Sequence, residues 1–199
     1  MDFNQLQAQQ RLLVRQRVRF MVNQYQVSAA NPDGSEGEVV AFAQQKRLAF
    51  KEEVTLYTDS KKQYVLGGFK ARRRIDLAAT YDITDHNGQP IGTFRKDFKR
   101  SLTSSTWHLE QPGLGVTTGT ERNQTVAILR RVWGFLPYVN NLPFAWPYHF
   151  DFTANGHPVF SVIKKFGLRD KYVVEIQDPR LDRRLVIAQA VALDALQHR

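Results

Sequence analysis

Apolar and polar residues alternate along most of the chain, between Leu12 and Asp178. A two-residue period is typical of β-strands that bury one face. Turn sequences rich in Asp, Asn and Gly interrupt the alternation four times, each with a strand-like run on either side. These turns are residues 31–34 (NPDG), 58–60 (TDS), 85–88 (DHNG) and 154–156 (ANG). The pattern predicts a meander of β-hairpins.

The run 182–198 has the pattern of a helix rather than a strand. On a helical wheel its apolar residues point in nearly every direction, with Gln189 and Asp194 as the polar interruptions. A helix that is apolar all round is buried, and this one is too short to cross a membrane. The large side chains that we expect to be buried are Leu185, Val186, Ile187, Val191, Leu193 and Leu196.

A curled sheet is the arrangement that surrounds such a helix. A helix of about 16 residues is roughly 24 Å long, close to the length of a strand of seven or eight residues. An eight-stranded barrel is filled by its own side chains, so a helix in the interior requires more strands, and the chain has room for ten to twelve. The predicted fold is mainly β, a closed antiparallel barrel around a central hydrophobic C-terminal helix. We expect Asp194, near the unfavourable end of the helix dipole, to reach the rim or an arginine.

Asp178 and Pro179 precede this helix. Proline fits the first helical turn, and Asp178 or Asp182 is expected to cap the free N–H groups. A calcium or other metal role for the two carboxylates is the alternative, and we favour capping. The pair Gly67 and Gly68 within a strand predicts a bulge or bend.

Two segments depart from the strand pattern. Residues 125–136 predict a short helix that ends at Gly134 and Pro137, and residues 138–147 form a loop rich in Pro, Asn and aromatic residues. This helix, with Trp133, Phe135 and two arginines, fits an amphipathic membrane anchor or a lid over a barrel mouth, and we favour the lid.

The composition bounds the class of protein. A chain of 199 residues, 42% hydrophobic and 24% charged, is expected to form one domain over residues 1–199, with a flexible N-terminus over 1–10. The absence of cysteine excludes disulfides and thiolate sites. No apolar run approaches the length of a membrane span, and the N-terminus lacks the pattern of a signal peptide, so we expect a cytoplasmic protein.

A net charge of +9 favours anionic partners. Several cations that converge on one point can bind a phosphate, with arginine making bidentate contacts. Arg72 and Arg74 share a strand face, whereas Arg73 does not. The alternative is that the basic clusters are solvated outer faces. The candidate anion-binding residues are Arg72, Arg74, Arg95, Lys96, Lys99, Arg100, Arg130, Arg131, Lys164 and Lys165, with Arg169 and Lys171 as a further basic pair.

No residue pattern indicates catalysis. The histidines are His86, His108, His149, His157 and His198, and they show neither metal-site spacing nor an evident nucleophile. No phosphate-binding glycine loop is present, so we expect no enzyme, cofactor or metal. Phe69, Phe94 and Phe98 neighbour basic runs, but alternating Phe is more often core, so nucleic-acid binding is a minor interpretation.

Several segments carry a resemblance to a known family. They are residues 81–94 (YDITDHNGQPIGTF), 95–101 (RKDFKRS), 106–107 (TW), 164–178 (KKFGLRDKYVVEIQD) and 179–196 (PRLDRRLVIAQAVALDAL). With the order of hairpins and terminal helix, they resemble the Tubby C-terminal-like superfamily, in particular LURP-one-related proteins and, more distantly, phospholipid scramblases. The resemblance covers most of the chain and implies a twelve-stranded barrel around a central helix. It also implies a phosphoinositide-binding or membrane-associated role, which some members have.

The chain departs from scramblases because it has no transmembrane tail, cysteine-rich segment or clear acidic calcium loop, so we do not expect lipid translocation. The basic residues of Tubby-type lipid recognition cannot be matched one by one. We therefore expect a non-enzymatic module, peripheral to the membrane, that binds anionic phospholipid through basic residues. The alternative is a protein-interaction scaffold that uses residues 138–147. The central helix argues against a small-molecule carrier, because it fills the cavity.

Overall fold

The computed structural model describes residues 3–19, 22–46, 53–72, 80–97, 105–123, 149–165 and 171–197. Helix α1 is Phe3–Gln7 and helix α2 is Arg183–Gln197. The strands are β1 Arg11–Arg19, β2 Val22–Ala30, β3 Glu36–Lys46, β4 Glu53–Tyr57, β5 Val65–Ala71, β6 Thr80–Asp85, β7 Pro90–Asp97, β8 Thr106–Gln111, β9 Gly115–Glu121, β10 His149–Ala154, β11 His157–Lys165 and β12 Lys171–Ile176.

The strands form one closed antiparallel barrel in which each strand pairs with its neighbours along the chain. β1 also pairs with β12, with Leu13 beside Val173, and this pairing closes the cylinder. A closed sheet leaves no edge strand open to pairing with another chain. The mainly β, twelve-stranded antiparallel barrel with a C-terminal helix confirms the predicted architecture.

The four predicted turns all join consecutive strands: β2 to β3, β4 to β5, β6 to β7 and β10 to β11. Three of them place a glycine in the left-handed region, where φ is 80° at Gly34, 79° at Gly88 and 80° at Gly156. Glycine adopts this conformation without the steric penalty of a Cβ atom. The local turn chemistry therefore specified the hairpins.

The Gly67–Gly68 pair lies at a bulge, as predicted. The register between β4 and β5 shifts between Leu56 and Tyr57, because Leu56 pairs with Gly67 and Tyr57 pairs with Val65. A Cβ atom on Gly67 would lie 2.3 Å from the carbonyl oxygen of Thr84. The position thus requires glycine for close approach of two backbones.

Helix α2 is buried on every side. It contacts β5, β7, β1 and β12, and β7 lies across the barrel from β1 and β12. The wall approaches closely at Gly92, where a Cβ atom would lie 2.9 Å from Cδ2 of Leu185. The side chain of Leu196 lies outside the described residues. The predicted helix residues that are 0% exposed are Leu185, Val186, Ile187, Val191 and Leu193.

Contrary to the expectation from its place near the end of the helix, Asp194 does not reach the rim but lies buried inside the barrel. Its side chain is 4% exposed. Oδ2 accepts a hydrogen bond of 2.8 Å from the hydroxyl of Tyr25, and Oδ1 accepts one from the hydroxyl of Tyr172. Both tyrosines point inward from the wall, because they follow the parity of the buried Val27 and Val174. Phenol donors stabilise a buried carboxylate, so these two hydrogen bonds connect the helix to β2 and β12.

The described part of the N-terminal segment packs against the barrel. Leu6 on α1 is 1% exposed and belongs to the core. The side-chain amide of Gln7 donates to the carbonyl oxygen of Leu181 at 3.0 Å, and its oxygen accepts from the backbone N–H of Arg183 at 3.2 Å. The sequence lacked a signal for this, since the contacts join residues that are far apart in the chain.

Helix α2 begins at Arg183, and Asp182 caps it. Oδ1 of Asp182 accepts a hydrogen bond of 2.8 Å from the backbone N–H of Arg184. Pro179 lies in the preceding turn and not in the first helical turn, which corrects the predicted start. Asp178 stabilises that turn by accepting from the backbone N–H of Arg180 at 2.9 Å. The predicted capping role is thus confirmed for Asp182. Asp178 instead stabilises the turn that precedes the helix.

The predicted helix 125–136 and the loop 138–147 lie outside the described residues. Phe69 and Phe94, considered above for nucleic-acid stacking, are 3% and 0% exposed. They belong to the barrel core, where their ring centroids lie 5.0 Å apart in an edge-to-face contact. Neither ring is available to a base, and Phe98 is outside the described part of the chain.

Candidate functional site

The two halves of the barrel differ in charge. One half of the barrel contains the C-terminal ends of β1, β3, β5, β7, β9 and β11, and we call it the basic half. The other half carries the hairpin turns that follow β2, β4, β6, β8 and β10, and we call it the turn half. Described cations outnumber described carboxylates in the basic half, and the reverse holds in the turn half. The basic half has Arg15, Arg17, Lys70, Arg72, Arg95, Lys96, Arg122, Lys164, Lys165 and Lys171 against Glu53, Asp82, Asp97, Glu121, Asp151 and Asp194. The turn half has Arg11, Lys61, Lys62, Arg180, Arg183 and Arg184 against Asp33, Glu36, Glu38, Asp59, Asp85, Glu110, Glu175, Asp178 and Asp182.

The predicted anion-binding residues fall into two groups. Those that the structure describes all lie in the basic half, at or just beyond the ends of β5, β7 and β11; they are Arg72, Arg95, Lys96, Lys164 and Lys165. The others lie outside the described residues; they are Arg74, Lys99, Arg100, Arg130 and Arg131. The topology thus brings clusters that are distant in sequence to one end of the barrel.

Two of the five described residues point into the barrel. Lys96 and Lys164 follow the inward parity of the buried Phe94 and Val162. The ammonium group of Lys96 lies 5.8 Å from the ring centroid of Trp107, and that of Lys164 lies 5.8 Å from that of Tyr172. A cation over an aromatic face is stabilised by the ring quadrupole. These two lysines therefore belong to the interior of the basic half and not to its outer surface.

Arg72 faces outward but is already paired. Its Nε donates to Oδ1 and Oδ2 of Asp82 at 2.8 and 2.9 Å, and this bidentate contact raises the pKa of Arg72 above its ordinary value. Lys70, on the same face, lies 3.4 Å from Glu53. Both pairs border a groove over Gly67 and Gly68 on the outside of the barrel. Their charge is neutralised locally, so we do not assign them to an anion site.

Arg95 and Lys165 are the predicted residues that face solvent without a carboxylate partner in the part of the chain that the structure describes. Lys171, from the further basic pair, is also exposed and has no carboxylate partner among the described residues. It lies opposite Lys165 in the ladder of β11 and β12. Arg15 lies opposite Lys171 on β1. Sequence reasoning missed Arg15, because its nearness to the last strand depends on the closure of the barrel.

His149 adds no charge to this surface at neutral pH. Burial, and next the cation of Arg122, lower the pKa of His149 below its ordinary value, with Asp151 opposing. Because free imidazole titrates near 6.5, a lowered pKa leaves the ring neutral at pH 7. The positive charge here comes from lysine and arginine.

His108 lies between an acid and a hydroxyl, an arrangement that the sequence did not reveal. Its Nε2 is 3.3 Å from Oδ2 of Asp97, and its Nδ1 is 3.3 Å from Oγ1 of Thr118. His108 and Thr118 are directly opposed in the ladder of β8 and β9. The contacts of His108 therefore link β7, β8 and β9 on the outer face of the barrel.

Two further findings concern the described ranges only. Their His, Asp and Glu side chains form no group that could hold a metal ion. Neither α1 nor α2 has the length and apolar character needed to cross a bilayer.

Comparison with known proteins places the chain in a family. The LURP-one-related family matches residues 39–194, which include β4 to β12 and most of α2. No curated protein matches the chain, and no solved structure matches it. The match covers more than half of the chain, from within β3 to the buried Asp194. The chain therefore belongs to the LURP-one-related family.

Proposed function

We propose that this protein is a non-enzymatic module, peripheral to a cytoplasmic membrane surface, that binds anionic phospholipid end-on, through the outward-facing cations around the end of its basic half. One observation carries the proposal. Arg95, Lys165 and Lys171 are exposed on that half without a carboxylate partner among the described residues, while carboxylates predominate in the turn half. Cations that are not neutralised within the protein are the ones available to an external anion.

The separation of charge has a physical consequence for membrane binding. Anionic lipid attracts each nearby lysine or arginine with about 1 kcal/mol, and this attraction falls off within a Debye length of about 10 Å at 0.1 M salt. Opposite charge at the two ends orients the molecule before contact, because the turn half is repelled by the same surface. The basic half then faces the lipid.

The family relationship supports the same proposal. The segments named above resemble the Tubby C-terminal-like superfamily, which includes phosphoinositide-binding proteins, and this resemblance supports a role at a membrane surface. The barrel interior is occupied by α2, so recognition involves the outward-facing cations around the basic end and not the interior of the barrel. Scramblase-like lipid translocation is not part of the proposal.

Co-sedimentation with vesicles tests the proposal. We expect binding to phosphatidylcholine vesicles that contain phosphatidylserine, and little to phosphatidylcholine alone. The triple variant Arg95→Gln/Lys165→Gln/Lys171→Gln should lose affinity by on the order of 100-fold, at about 1 kcal/mol per cation. Raising the salt from about 0.1 M to about 1 M, where the Debye length is about 3 Å, should weaken the wild type similarly.

A matched variant controls for net charge. Lys61→Gln/Lys62→Gln/Arg180→Gln removes three cations from the turn half and changes the net charge equally. It should retain wild-type binding within a few-fold. Equal binding to neutral and anionic vesicles would contradict the proposal, as would equal losses in the two triple variants.

A further inference from the structure

Three cations lie side by side on the outer face of the basic half. Lys165 on β11 is in register with Lys171 on β12, and Lys171 is in register with Arg15 on β1. All three point outward, since Lys164, Tyr172 and Val14 next to them are buried in the interior. Directly opposed residues on antiparallel strands have Cβ atoms about 4.5–5.5 Å apart. The row therefore holds three positive charges across the width of three strands.

Such a row is unfavourable without a counter-charge. Like charges directly opposite one another destabilise a sheet. The positive charge of Arg15 is balanced by Glu36, because Oε2 of Glu36 lies 3.2 Å from Nη2 of Arg15. The other oxygen of Glu36 accepts from Gln26 at 2.9 Å and from Ser28 at 3.2 Å. Lys165 and Lys171 have no ion pair among the described residues, so the described part of this surface carries two adjacent positive charges that it does not balance.

The row borders a cleft of about 340 Å³. Gly34 and Ser35 of the β2–β3 turn also line the cleft, together with the ion pair of Glu36 and Arg15. Leu13 and Val173, which are in register on β1 and β12, add apolar side chains to its lining. The cleft thus combines a net charge of +2 with a hydrophobic surface and a polar turn.

We propose that this cleft, which we call the Lys165–Lys171 cleft, binds a phosphate monoester. A monoester has close to two negative charges at neutral pH, which match the two uncompensated lysines, and its oxygens accept hydrogen bonds from ammonium groups. The carbon substituent would lie on Leu13 and Val173. A lipid headgroup and a small soluble phosphate ester share this chemistry, and the lipid source rests on the proposed function.

The first test uses a soluble ligand. In a titration of the full chain with glycerol 3-phosphate up to about 10 mM, a range suited to millimolar dissociation constants, the amide NMR signals of Lys165, Lys171 and Arg15 should shift together. Lys165→Gln/Lys171→Gln should abolish the shifts, and Lys165→Arg/Lys171→Arg should preserve them. Absence of shifts in the wild type, or their persistence in the glutamine variant, would overturn the cleft assignment.

The second test uses vesicles of equal surface charge. Phosphatidic acid carries a phosphate monoester, whereas phosphatidylglycerol carries a diester. We expect the wild type to prefer phosphatidic acid, and the glutamine pair to lower that affinity about 30-fold and to remove the preference. Arg95→Gln should weaken binding to both lipids and leave the preference intact.

The two tests separate the cleft from the wider proposal. Binding to both vesicles without preference, together with no response to glycerol 3-phosphate, would overturn the cleft and leave the basic half as a nonspecific membrane surface. Glycerol 3-phosphate shifts without vesicle binding would overturn the membrane role and support a site for a soluble phosphate ester.

Discussion

Val191→Lys is expected to prevent the chain from folding. Val191 is 0% exposed near the middle of α2, and the barrel wall surrounds it. At 1.5 Å per residue, Gln197 at the end of the helix is about 9 Å farther along the axis, beyond the reach of a lysine side chain through packed protein. An unpaired buried ammonium group costs several kcal/mol, to which overpacking adds about 1–3 kcal/mol. Together these match the total stability of an ordinary domain, about 5–15 kcal/mol.

Circular dichroism and proton NMR of the purified variant would measure this loss. The chain offers a matched control, Val116→Lys on β9, because Val116 is 51% exposed. The control should fold and change the free energy of unfolding by no more than about 0.5 kcal/mol. A Val191→Lys protein with dispersed NMR signals and wild-type stability would show that α2 does not lie in the interior.

Arg183→Ala should lower the free energy of unfolding by about 3–5 kcal/mol, since its guanidinium group is buried and charged. Arg183 is 2% exposed; Nε donates to the carbonyl oxygen of Gln9 at 2.7 Å, and Nη1 donates to that of Leu181 at 2.5 Å. Burial lowers the pKa of Arg183, while Asp182 and Asp178 oppose this, and arginine remains charged at any physiological pH. The side chain therefore joins the N-terminal segment to the start of α2 and closes the turn half.

Urea denaturation would measure the loss in the free energy of unfolding of Arg183→Ala, with Arg180→Ala as the comparison variant. Arg180 lies three residues earlier, its side chain is 72% exposed, and it pairs with Asp178 at 2.7 Å. Exposed ion pairs contribute about 0–1 kcal/mol, so this variant should be nearly as stable as the wild type. Equal losses of stability in the two variants would show that Arg183 does not contribute to closing the turn half of the barrel.

The architecture was predictable because its signals are local. Turn residues specify each hairpin over four or five positions, as at Gly34 and Gly88, and the apolar character of α2 on all sides requires an enclosing wall. The partners of Asp194 were not predictable in the same way. They depend on which inward positions of β2 and β12 meet the helix, and that register arises from the closure of the barrel.

The candidate site was predictable only in part for the same reason. Runs of lysine and arginine identify basic clusters, but alternation along a strand turns Lys96 and Lys164 inward, while Asp82 neutralises Arg72. Arg15 joins Lys165 and Lys171 through the pairing of the first and last strands, which are more than 150 positions apart. The spacing of these residues along the sequence does not indicate that Arg15 lies next to the two lysines.

The orientation of the barrel on a membrane can be measured with two single-cysteine variants, since the chain has no cysteine of its own. Thr80→Cys lies at the start of β6 in the basic half, and Asn87→Cys lies in the turn after the same strand. Each variant would carry a fluorophore, and anionic vesicles would carry a spin label on the headgroup. We predict strong quenching at position 80 and weak quenching at position 87. Equal quenching, or stronger quenching at position 87, would contradict binding through the basic half.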